Sequence, residues 1–93
     1  MIELEKKYEK YLKMTEKALK KIKINEKLNK EYNKAGNDFL DMAKRYYEDS
    51  IYFKKKNDLI NAFAAINYSH AFLDAGARLK VFKVKDSKLF MVE

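Results

Sequence analysis

Residues 58–81 read DLINAFAAINYSHAFLDAGARLKV, and the fold class turns on this stretch. Leu59, Phe63, Ile66, His70, Leu73 and Ala77 recur in steps of three and four, and so do Ala62, Ala65, Ser69, Phe72, Gly76 and Leu79. Such spacing belongs to a helix and not to a strand, whose faces alternate with period two. A helix apolar over two stripes touches neighbours on two sides, so it is expected to be the best-buried member of a bundle. Asn57 and Asp58 supply a turn residue and an N-cap at its start. Lys54, Lys55 and Lys56 sit just before them, where the carbonyl end of a preceding helix is negative.

Upstream, the stripe Leu28, Tyr32, Ala35, Phe39, Met42 and Tyr46 predicts a second helix ending near residue 56. Its start is open between residues 27 and 37. Either Asn25 caps an early start, with Gly36 inside the helix at a cost of ~1 kcal/mol against Ala, or Asn37 caps a late one. A first helix over about residues 3–23 follows from Leu4, Tyr8, Tyr11, Leu12, Thr15, Leu19 and Ile22. Its other face carries Lys6, Lys10, Lys13, Lys17 and Lys20, and Glu9–Lys13 and Glu16–Lys20 are i,i+4 pairs worth ~0.3–0.5 kcal/mol each. The third helix is expected over 58–81. Beyond it, Val81-Phe82-Lys83-Val84 and Leu89-Phe90-Met91-Val92 flank a polar turn, so residues 81–93 read as an extended or hairpin-like tail docked on the bundle or on a partner. Residues 1–80 are thus one all-α domain.

Composition agrees. Ninety-three residues cannot be split into two halves that each bury a core. The chain has no Cys and no Pro and only two Gly, which removes disulfide scaffolds, thiolate metal sites and turn-rich β architectures. No apolar run reaches signal-peptide or membrane-spanning length, and a cytoplasmic location with no membrane contact is expected.

Several residues carry a more specific likeness. Tyr46-Tyr47 with Asp49, Tyr52-Phe53, Asp58, Tyr68 with His70, and Leu73-Asp74-Ala75-Gly76-x-Arg78-Leu79 resemble the archaeal family catalogued as domain of unknown function 357. Tyr11, Thr15, Glu16, Lys17 and Ala18 and the Phe-x-Val and Leu-Phe-x-Val tail fit it as well. Gly is expected where Asn57 and Lys80 stand. The resemblance implies a three-helix up-and-down bundle and no established activity.

His70, Asp74 and Arg78 follow one another at steps of four and line one side of the third helix. An imidazole oriented by a carboxylate, beside a guanidinium, is a conceivable acid–base site. The structural alternative is an intrahelical network completed by a tyrosine hydroxyl of the second helix, Tyr47 being the candidate. That alternative is favoured, because a lone His has no nucleophile or second metal ligand beside it. Ser69 precedes His70 directly and points about 100° away on a helix. No catalytic residue, cofactor or metal is therefore expected. Gly76 reads as a close-contact point for a neighbouring helix or a Tyr ring.

The charge is uneven. Residues 1–34 carry 11 Lys against 6 Glu, whereas residues 35–79 carry 6 cations and 6 anions. The Lys face of the first helix could follow a phosphate backbone, but its Glu neighbours and the scarcity of Arg favour a solvated surface. Nucleic acid is thus the alternative partner. The favoured partners are another protein or a second copy, a homodimer through the third helix and the tail, because those segments carry apolar residues beyond the needs of the core.

Overall fold

The computed structural model describes residues 2–83. Three helices account for most of them: α1 (Ile2–Lys21), α2 (Lys30–Lys55) and α3 (Leu59–Arg78). The class is the expected all-α three-helix bundle. Tyr8 shares an apolar cluster with Phe53, Ala62 and Ile66, while Ala18 shares another with Ala43, Leu73 and Ala77. The chain therefore runs up in α1, down in α2 and up again in α3. α3 packs along both other helices, whose backbones seldom approach each other.

The boundaries differ from the sequence reading for local reasons. α2 begins between the two expected starts, because Asn29 is the cap: its side chain accepts from the Tyr32 N–H at 3.0 Å. Asn25 serves the loop instead, donating from Nδ2 to the Lys80 carbonyl at 2.9 Å. α3 is capped by Asp58, which accepts from the Asn61 N–H at 3.2 Å. It ends at Arg78 and not near residue 81. Lys80 turns left-handed (φ 63°), and Val81 N–H returns to the Gly76 carbonyl at 3.1 Å, closing the last turn. α2 stops in the same way, with Asn57 left-handed (φ 60°) and Asp58 N–H donating to the Phe53 carbonyl at 2.9 Å. Both places where Gly is expected from the family likeness are thus left-handed positions.

The buried seam of α2 is also displaced. Gly36, Ala43 and Ser50 are buried at intervals of seven, while Phe39, Met42 and Tyr46 of the expected stripe are half-buried and Tyr32 is exposed. Small residues mark the line of closest approach and the large ones fill its flanks.

Downstream of α3, Val81 and Phe82 fold back into the core at 1% and 3% exposure. Asn25 N–H donates to the Val81 carbonyl and Lys83 N–H to the Lys23 carbonyl, both at 2.8 Å, around a single antiparallel bridge between Ile24 and Phe82. Val81 lies over Gly36, where an added Cβ would stand 3.3 Å from the Val81 Cβ. Phe82 lies over Gly76, where an added Cβ would overlap its ring. The only two glycines of the chain are the sockets for these two side chains. The expected hairpin, with its second strand at Leu89–Val92, lies outside the described residues.

Candidate functional site

The polar residues singled out in α3 do meet partners, though not all the expected ones. His70 is mostly buried, and its Nδ1 lies 3.1 Å from Oγ1 of Thr15 on α1. Its Nε2 lies 3.5 Å from Oδ1 of Asp74, one turn further along α3. Hydroxyl, imidazole and carboxylate thus stand in a row, superficially the order of a nucleophile, a base and its orienting acid. Thr15 Oγ1, however, belongs to a side chain with 0% exposure, on the seam between α1 and α3. A substrate carbonyl would have to enter the helix contact to reach it. What the row does is satisfy a buried hydroxyl and hold the imidazole in one orientation. Arg78 continues the same side of α3 and is exposed.

Tyr47 is not in this row, contrary to the expectation that it would complete the network. Its hydroxyl donates to Oε2 of Glu16 on α1 at 3.0 Å. Withdrawal from water, reinforced by the adjacent carboxylate, pushes the Tyr47 phenol up to about 12. The same hydrogen bond, helped by Lys20, holds the Glu16 carboxyl below its usual range. Thr15 takes the place foreseen for a tyrosine because α1, and not α2, covers the His70 side of α3. Its signal lay in the sequence: a hydroxyl on an otherwise apolar stripe needs a buried partner.

Three further polar contacts continue this layer. The Tyr8 hydroxyl donates to the Ser50 carbonyl at 3.2 Å, Ser50 Oγ to the Tyr47 carbonyl at 2.7 Å, and Ser69 Oγ to the Ala43 carbonyl at 2.6 Å. Tyr8 and Tyr47 reach across the gap between α1 and α2, which the backbones leave open. Among the described residues no three His, Cys, Asp or Glu side chains gather at metal-binding distance.

The Lys face lies elsewhere. Lys6, Lys10, Lys13, Lys17 and Lys20 are all exposed, on the side of α1 opposite buried Tyr8, Thr15 and Ala18. Ile2, Glu5, Lys6, Glu9, Lys10 and Lys13 line an open furrow there, so carboxylates are interleaved with the cations. Lys20 also pairs with Glu16 at 3.5 Å. No helix among the described residues is long and apolar enough to cross a membrane.

α3 has a third face that the sequence reading did not isolate. Ile60, Tyr68 and Leu79 are 70%, 59% and 52% exposed. Ala64, Ala71 and Ala75 lie between them and are exposed too. At about 100° per residue these six fall on one arc along the outer side of the helix, with Tyr68 near the edge that borders α2. By its spacing Leu79 belongs to a core stripe, but it falls at that stripe's outer margin and faces out. Tyr68 is held in place by stacking on Tyr46 (ring centroids 5.3 Å apart), which in turn stacks on Phe72 at 5.9 Å.

A family model described as protein of unknown function (DUF357) matches residues 10–82, most of the chain. The chain belongs to that family. The DUF357 match takes in α2 and α3 entire, the Thr15–His70–Asp74 row and both glycine sockets with Val81 and Phe82. No curated protein and no solved structure matches the chain.

Proposed function

We propose that this DUF357 chain is a non-catalytic interaction module of the cytoplasm, working without metal or cofactor through the outer face of α3. The observation that carries the reading is that face itself. Three large apolar side chains, each more than half exposed, share one helix arc with alanines in a chain that is 38% charged. An apolar strip on so charged a surface is costly to leave wet and suits a binding surface. Burial of Thr15 supports the non-catalytic part, since the best-aligned hydroxyl–imidazole pair is shut inside the bundle.

Affinity capture of the tagged protein from its native lysate, with and without nuclease, tests the reading. A protein complex that survives nuclease and is lost in Ala71→Glu is the expected result. Capture of RNA or DNA alone, abolished by Lys10→Glu, Lys13→Glu and Lys17→Glu, would replace it with phosphate-backbone binding by the Lys face. A chain that binds neither protein nor a second copy of itself would overturn it.

A further inference from the structure

We infer that the occupant of the α3 outer face is a second copy of this chain, packed with its own α3 antiparallel across a twofold axis. This deepens the interaction-module reading and rests on it. The six positions of the face are Ile60, Ala64, Tyr68, Ala71, Ala75 and Leu79, and their spacing is 4, 4, 3, 4, 4. The series reads the same in both directions. Such a series suits a twofold contact, in which each position i that meets j on the partner is matched by j meeting i.

Centring the axis between Ser69 and His70 pairs every position with a fitting one. Ile60 faces Leu79 of the second copy, Ala64 faces Ala75, and Tyr68 faces Ala71. Large residues close the two ends, alanines allow close approach on either side of the middle, and the tyrosine ring enters the space over an alanine. Tyr68 is already immobilised against Tyr46, so little freedom is lost when it docks. The strip is about 28 Å long by helix rise.

Charge points the same way. Between Leu59 and Leu73 α3 carries no Asp, Glu, Lys or Arg, so the strip offers nothing to an ionic partner along most of its length. Arg78, on the margin of the arc, comes opposite Asn61. The antiparallel register brings the Lys80 end of one copy to the Asp58 end of the other, and sets the negative end of each helix dipole beside the positive end of its neighbour. The Lys faces of the two α1 helices stay on the outsides, which keeps apart most of the +7 charge of each chain. One helix pair with its flanks is a small contact beside a standard interface of ~1,600 Å², in keeping with a transient dimer.

The chain has no cysteine, which makes the register directly readable. Sedimentation equilibrium from low to high micromolar concentration should show mass rising from 11.1 kDa toward twice that value. Ala71→Glu, at an exposed position, should hold the chain monomeric with unchanged helix content and melting, whereas Lys13→Glu should leave the rise intact. Mixed single-cysteine variants Ala64→Cys and Ala75→Cys should cross-link to each other through a short bismaleimide, in preference to cross-linking to themselves. A wild type that stays at monomer mass throughout overturns the inference, and so does a dimer that Ala71→Glu leaves intact or one that links Ala64→Cys to itself. A monomeric wild type that still binds a different protein through α3 refutes the twofold while leaving the interaction-module reading in place.

Discussion

Asn57 and Lys80 hold the left-handed residue that ends α2 and α3, a conformation costing most L-residues roughly 1–2 kcal/mol and glycine almost nothing. Lys80→Gly should therefore raise stability by about 1 kcal/mol, and Asn57→Gly by less, since Asn tolerates this region best among non-glycine residues. Urea midpoints at constant slope would measure both, and a loss of stability in Lys80→Gly would show that its backbone geometry is not the cost it is taken to be. A second residue-scale consequence concerns Tyr47. Its phenol ionises near 12 in the folded chain against an ordinary value of 10.0, so the proton is held more tightly in the native state. The resulting stabilisation is fully present below pH 10 and is lost as pH rises through about 12. Burial raises Tyr8 as well, so ultraviolet titration should show a late-titrating fraction that shrinks by one tyrosine in Tyr47→Phe and does not vanish. In Glu16→Gln the Tyr47 step should move down only part of the way, because burial, the larger cause, remains.

At the scale of elements, helix number, direction of amphipathicity and the Asp58 cap were legible in the sequence, because large apolar side chains at steps of three and four announce a helix. The contact line of α3 was legible too, because Ala62, Ala65 and Ser69 stand in its second stripe. That of α2 was not: its buried residues are Gly36, Ala43 and Ser50, small residues whose value lies in what they leave room for. Hydropathy gives such residues little weight. The polar layer was half legible: the His70–Asp74 spacing is local, whereas Thr15 is 55 residues from His70 and Glu16 is 31 from Tyr47. Nor does anything local say that Val81 and Phe82 turn back onto the two glycines. That plug carries an expected outcome of its own. Gly76→Ala should cost on the order of 1–3 kcal/mol by overpacking against Phe82, despite the helix-propensity gain of ~1 kcal/mol. In a Phe82→Ala background the same change should become neutral or stabilising. Denaturant unfolding of the four chains measures the coupling, and additive effects would remove Phe82 from the socket.

On the scale of the whole molecule, two sets of residues compete for the functional role, and they lie on different sides of one helix. The Thr15–His70–Asp74 row faces α1, with Thr15 fully buried and His70 and Asp74 mostly so, and the arc from Ile60 to Leu79 lies on the outer side of α3 and is open. His70 and Ala71 are adjacent in sequence, yet one belongs to each set, so a pair of neighbouring substitutions separates them. The measurement is sedimentation equilibrium paired with thermal unfolding on His70→Ala and Ala71→Glu beside the wild type. Expected is a lower melting temperature with self-association retained for His70→Ala, because its loss leaves Thr15 with a buried unpaired hydroxyl. For Ala71→Glu the expected result is an unchanged melt of the monomer with association abolished. The opposite pattern, a folded His70→Ala chain that no longer associates beside an Ala71→Glu chain that does, would contradict the assignment of the outer face of α3 as the working surface of this protein.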